Sequence, residues 1–157
     1  MDIKKHRTEI KLHVTPVWHK EPPICAIQFS KDVFFKEEIT ESKVYSYEEY
    51  LTDGNYDITI EFLNKKNTDT VNGKDKAVKI DKIVFNNIES EKFVWQGVYQ
   101  PRYPEPWLSQ QKIAGKAPMS KLTSQKYLGW NGKWKLTYSA PIFSWIHKIE
   151  NLGWIYD

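Results

Sequence analysis

The sequence predicts an all-β chain: an antiparallel β-sandwich carrying a long proline- and aromatic-rich arm, with a short helix near the C-terminal end. Three observations lead there. Apolar and polar residues alternate through most of the first 90 positions, the period-two signature of half-buried strands. Turn-forming residues interrupt that alternation every ten or so positions, with no helical period between them. Phe, Trp and Tyr make up 15% of the chain, and aromatics favour pleated, half-buried surfaces.

The strands follow in order. "TEIKLHVTP" sets Ile10, Leu12 and Val14 on one face and Glu9, Lys11 and His13 on the other. "ICAIQF" and "DVFFKEEIT" come next, parted by the polar Ser30-Lys31-Asp32. "KVYSYEEYL" alternates again, and the Asp-Gly turn in "TDGNY" precedes a strand with Tyr56, Ile58, Ile60 and Phe62 on one side. In "AVKIDKIVFNNI" the alternation runs to Ile80, then changes phase so that Ile83 and Phe85 share a face. That slip predicts a β-bulge near Asp81-Lys82.

Beyond residue 90 the pattern changes, and five of the eight prolines lie there. Pro101, Pro104 and Pro106 space out Tyr103 and Trp107, which predicts an extended arm over about 100–128. "WNGKW" (130–134) predicts a tight hairpin, because Asn-Gly suits a type I′ turn. Pro141 then opens a helix whose Ile142, Trp145, Ile146 and Ile149 recur at helical spacing, with Gly153 as its stop. Residues 1–92 thus read as the sandwich. Residues 93–157 read as an arm, hairpin and helix that complete the domain or dock on a neighbour.

Composition narrows the function. Lys+Arg 23 against Asp+Glu 20 gives a net charge of +3, with acids and lysines interleaved along most of the chain, so neither nucleic acid nor a membrane surface is expected as a partner. No apolar run approaches the ~20 residues of a membrane span, and the N-terminus lacks a hydrophobic signal region. The single cysteine, Cys25, sits in an apolar run and reads as a buried, inert thiol. No nucleophile elbow, phosphate loop or H-E-x-x-H occurs. His6, His13, His19 and His147 lack metal-ligand spacing, and Glu37, Glu38, Glu48 and Glu49 read as solvated strand faces and not as a paired acid and base. A non-enzyme is expected.

One loop has a chemical accent. "EFLNKKNTDTVNGKDKAVKID" gathers Asn64, Asn67, Asp69, Asn72, Asp75 and Asp81 around Gly73. Such oxygens suit a hard cation such as Ca²⁺. They are equally what turns are made of, and Lys65, Lys66, Lys74 and Lys76 oppose a cation. The stretch "DITIEFLN…DKAVKIDKIVFNNI", over about residues 55–88, resembles the calcium-dependent xylan-binding modules, β-sandwiches of the jelly-roll type. The resemblance implies calcium as cofactor, held by Asn64, Asp75 and Asp81, with Lys76 where that family often has Arg. It also implies a metal that grips sugar hydroxyls directly.

A second resemblance spans the chain. "DKAVKIDKIVFNNI", "FVWQGVYQPRYPEPW", "YLGWNGKWKLTY" and "PIFSWIHKIENLGWIYD" are similar to small proteins of contractile-tailed cyanobacterial viruses. This likeness implies a virion structural component of capsid, neck or tail, made in the host cytoplasm, present in many copies and contacting other virion proteins. On that view Trp95, Tyr99, Tyr103, Trp107, Trp130, Trp134, Trp145 and Trp154 are partner-binding anchors. The competing class is a carbohydrate-binding module that attaches the virion to host surface glycans.

Overall fold

The structure is a computed structural model describing residues 3–31 and 33–150. Two antiparallel sheets face each other across one core. Strand β1 (His6–Val17) is the axis of the first sheet, flanked by β4 (Lys43–Leu51) and β6 (Ala77–Phe85). Short strands β7 (Ile88–Glu89) and β10 (Tyr127–Leu128) add to β6. The second sheet runs β3 (Val33–Glu38), β2 (Ile24–Phe29), β5 (Gly54–Phe62), β11 (Gly132–Ala140), β8 (Val98–Pro101) and β9 (Leu122–Thr123). Helix α1 (Glu91–Trp95) is capped by Ser90, whose Oγ accepts from Lys92 N at 3.2 Å. Helices α2 (Trp107–Ile113) and α3 (Ile142–Glu150) complete the elements. Among the described residues no helix is long and apolar enough to cross a membrane.

Alternation becomes core. Ile10, Leu12 and Val14 from the first sheet meet Ile27, Ile58, Ile60 and Phe62 from the second, all at most 1% exposed. The phase slip in β6 is a bulge: His13 faces Lys82 and Val14 faces Ile80, so Asp81 is the extra residue. Helix α3 forms where its apolar stripe requires, burying Ile142, Trp145 and Ile146 while Phe143 stays exposed. Trp145 closes an aromatic cluster with Phe85 at 5.2 Å, Phe93 at 5.8 Å and Tyr138 at 6.4 Å between ring centroids. Gly153 lies outside the described residues.

Two expectations fail. "WNGKW" is not a hairpin: Leu128 pairs with Val78 in the first sheet, whereas β11 begins at Gly132 in the second. Asn131-Gly132 is therefore a crossing between sheets. A Cβ on Gly132 would collide with the Gln100 carbonyl, and its φ of +153° favours glycine. The arm is not simply extended either. Its residues form β8, β9 and β10 in the sheets, and the Pro104–Pro106 corner leads into α2, with Leu108 N bonding Pro104 O at 3.0 Å. Strand β11 runs between β5 and β8, so residues of the C-terminal half lie inside the second sheet.

Candidate functional site

At one end of the sandwich the loop after β5, the β8–α2 corner and the β9–β11 connection converge on a groove of about 440 Å³. Asparagine amides fix the loop where it leaves the sheet. Asn64 Oδ1 accepts from Ile24 N at 2.7 Å and its Nδ2 donates to Pro22 O at 3.0 Å. Asn131 does the same for Lys65, accepting from its N at 2.7 Å and donating to its O at 3.1 Å. Each side chain thereby satisfies backbone groups that the interrupted ladders leave unpaired. The loop then makes a 3-10 turn over Asn67–Asp69 and reverses through Asn72 and Gly73, both at positive φ.

Two lysines fill its interior. Lys76 has a side chain only 2% exposed, and its Nζ lies 3.1 Å from Asp69 Oδ2 and 3.2 Å from Asn64 O. Lys65 is nearly as buried; its Nζ pairs with Asp75 Oδ1 and donates to Lys76 O at 2.7 Å. A buried ammonium needs this many oxygens to offset its lost hydration. Asp75 is correspondingly saturated. Its Oδ1 accepts from Lys65, from Thr70 Oγ1 at 2.7 Å and from Lys76 N at 2.8 Å, and its Oδ2 accepts from the Tyr127 hydroxyl. Burial alone would push this carboxyl up, but the Lys65 ammonium and the three neutral donors outweigh it and bring it down to about 2. Asp69 is lowered in the same way: burial opposes, and the Lys66 N–H and the Lys76 ammonium prevail. The Tyr127 hydroxyl is pushed up by burial and by the Asp75 charge it donates to.

Aromatic rings form the facing wall. Trp107 and Trp130 stack with centroids 5.5 Å apart and planes 27° from parallel, and Tyr103 contacts both, at 5.5 and 5.9 Å. All three rings are half-buried and line the groove. Tyr99 anchors the wall from inside the core by donating its hydroxyl to Trp130 O. Lys65 Nζ lies 5.8 Å from the Trp130 ring centroid, so the ammonium that holds Asp75 also holds the indole. Gln125, Asn67 and Thr70 add amides and a hydroxyl to the lining.

The proposed ligands Asn64, Asp75 and Asp81 are not brought together. Asn64 spends its side chain on Pro22 and Ile24, and Asp75 on four donors. Asp81 sits at the bulge, accepts from Thr15 Oγ1 at 2.5 Å and lines a different depression. At about 3.3 Å per residue, the four steps from Ala77 to Asp81 alone cover about 13 Å. Among the described residues no three His, Cys, Asp or Glu side chains gather as a cation site. The residues present do not fit a bound Ca²⁺: where its charge would act on the loop oxygens, Lys65 and Lys76 already do so.

Of the eight aromatic anchors, Tyr99, Trp134 and Trp145 lie in the chain's own core, a correction to their reading as partner contacts. A Cβ on Gly97 would overlap the Trp134 indole, so that ring and the backbone just before β8 are in direct contact. Tyr103, Trp107 and Trp130 meet in the groove. Trp95 is exposed on α1, and Trp154 lies outside the described residues. Sequence reasoning missed Tyr127, Gln125 and the buried state of Lys65 and Lys76. Four lysines inside an Asn/Asp loop were the available signal for the last two. Of the strand glutamates, Glu37 is held by Lys43 and by the Tyr45 hydroxyl at 2.6 Å, and Glu48 by Arg7 at 3.3 Å.

No protein-family model and no curated protein matches the chain. Two solved structures are similar in fold. The selenomethionine form of vCBM60, described in work on a circular permutation linking two families of calcium-dependent carbohydrate-binding modules, matches at 14% identity and a TM-score of 0.49, over 82% of this chain and 89% of that one. vCBM60 in complex with galactobiose matches at 15% identity and a TM-score of 0.46, over 82% and 96% of the two chains.

Proposed function

We propose that this chain binds carbohydrate without transforming it, and that the groove between the 64–76 loop and the Tyr103–Trp107–Trp130 wall is the binding site. One observation carries the reading: half-buried aromatic faces stand beside fixed hydrogen-bonding groups in a single concavity. A pyranose offers the complementary surface, a flat face of C–H groups for an indole and a rim of hydroxyls for amides and a phenol. Tyr103, Trp107 and Trp130 take the ring faces. Gln125, Asn67 and Tyr127 take hydroxyls. The grip needs no metal, because the loop's carboxylates are ordered by Lys65 and Lys76. The sequence likeness to virion proteins supplies a setting, in which such a module is displayed on a particle and attaches it to host surface glycans.

Affinity electrophoresis through gels containing soluble polysaccharides tests this. The chain should be retarded by at least one of them, and Trp107→Ala together with Trp130→Ala should abolish the retardation while the protein remains folded. Free migration through every polysaccharide, or undiminished retardation of the double variant, would sink the reading.

A further inference from the structure

We infer that the ligand of this groove is an anionic glycan, one bearing carboxylate or sulfate groups on its pyranose units; the inference rests on the carbohydrate-binding reading above. Charge in this chain is segregated in a way its small net value hides. The segment 106–131, which supplies Trp107, Gln125, Tyr127 and Trp130 to the groove, holds four lysines and no acid; the next acid in the sequence is Glu150. The opposite wall, 64–76, holds four lysines and two aspartates. The two segments together carry +6 in a chain of +3, which leaves the remainder at −3; of their lysines, Lys65 and Lys66 line the groove itself, whereas Lys126 lines another depression beside Asp81 and Glu89.

The two acids of these walls are also the ones that are neutralised. Asp69 is paired with Lys76 and Asp75 with Lys65, so neither presents an unopposed charge to a ligand. Lys66 lines the groove with 62% of its side chain exposed, and Lys74 on the same loop is exposed. Two carboxylates temper the field nearby: Glu21, 3.4 Å from Lys66 Nζ, and Glu105, which accepts from Ser109. Exposed lysines beside a low-dielectric aromatic wall focus positive potential where a ligand's substituents would lie. The interior of the groove is neutral and hydroxyl-seeking, and the exposed Lys66 ammonium at its edge is the cation a charged substituent would meet. A polymer with hydroxylated rings and charged substituents matches both. A nucleic acid matches less well, because its phosphates follow the whole strand, and Trp107 and Trp130 already stack on each other and leave no slot for a base between them.

The test compares polymers that differ only in charge. The full chain is titrated with polygalacturonate and its methyl ester, with a sulfated galactan and its desulfated form, and with a single-stranded oligonucleotide, in low and high salt. At least one acidic polymer should bind about tenfold or more tightly than its neutral counterpart. The gap should shrink at high salt, where screening shortens to a few ångströms. Which pair responds distinguishes carboxylate from sulfate. Lys66→Gln, an exposed change, should weaken the acidic polymer severalfold more than the neutral one, so that the ratio between them falls. Equal binding within both pairs, or tighter binding of the neutral forms, overturns the anionic class and leaves the carbohydrate reading standing. Tightest binding of the oligonucleotide overturns the anionic-glycan assignment in favour of nucleic acid. Binding of no polymer defeats both readings.

Discussion

Trp130 and Trp134 stand four residues apart around one Asn-Gly step, yet they do opposite work. Trp134 is fully buried in β11, its ring against the Gly97 backbone. Trp130 is half-buried, stacked on Trp107 and beside the Lys65 ammonium. The first has traded all its solvent for packing. The second stays partly exposed and is held by groups that are themselves fixed: the Tyr99 hydroxyl bonds its carbonyl, and Asn131 clamps Lys65. Aromatic content alone therefore does not mark a binding surface. What marks it is an indole held by an ordered polar frame and still partly exposed at a concavity.

The largest expected effect separates these two tryptophans. Trp134→Ala empties a close-packed site and should lower stability by about 3–5 kcal/mol, read by urea denaturation. Trp130→Ala gives up a stacking partner at a wetter site and should cost about 1 kcal/mol, while removing carbohydrate binding. Comparable losses of stability in the two variants would erase the distinction between core and groove.

The next effect tests the frame. Lys76→Met removes an ammonium of the right length for its channel but leaves Asp69 buried with only the Lys66 N–H and nearby charges to hold it. Breaking one side of a buried pair should cost about 3 kcal/mol. The double change Lys76→Met with Asp69→Asn should recover part of that loss. A single variant as stable as the parent would mean that the ion pair does not order this loop.

Much of this architecture was legible in the sequence and some was not, for reasons that differ by residue. The faces of β1, β5 and β6, the bulge at Asp81 and the stripe of α3 follow from local periodicity, which burial enforces residue by residue. The Asn131-Gly132 step misleads because turn propensity is local, while the pairing of Tyr127-Leu128 with β6 is not. The same limit applies to the site. Its parts were visible as an Asn/Asp/Lys loop and as proline-spaced aromatics, but the contact between Lys65 and Trp130 joins residues 65 positions apart. Burial of Lys76 runs against the habit of lysine, and only the converging oxygens of Asp69 and Asn64 explain it.

A smaller effect comes from acid. Asp75 titrates at about 2 in the folded chain, below the ordinary aspartate value of about 3.9. A depressed carboxyl contributes stability that is fully present above its unfolded pKa and disappears as pH falls through its folded one. The groove side of the molecule should therefore weaken between about pH 4 and pH 2. Tyr127 should register the change first, because its hydroxyl donates to the affected carboxylate. In Asp75→Asn the corresponding part of the acid-stability profile should flatten. An unchanged profile in that variant would assign the acid sensitivity to other carboxylates.

The smallest expected effect is that of calcium. A ligand that binds only the folded state at a hundred times its Kd stabilises by about 2.7 kcal/mol, a shift that a thermal scan resolves easily. Here the oxygens that such an ion would need are occupied: Asn64 by Pro22 and Ile24, Asp75 by Lys65, Thr70, Lys76 and Tyr127, and Asp69 by Lys66 and Lys76. A divalent cation would have to displace two buried ammonium groups and meet their charge at close range. Scans in millimolar Ca²⁺ and in chelator should therefore coincide, and carbohydrate retardation should be the same in both. The Lys65→Gln variant sharpens the comparison between a lysine-held and a metal-held loop. It vacates one ammonium and leaves Asp75 Oδ1 and the Lys76 carbonyl facing the gap, so any calcium response should emerge there and not in the parent. A rise in the parent's melting temperature on adding Ca²⁺ would show that the loop opens to admit the ion and that its lysines are displaceable.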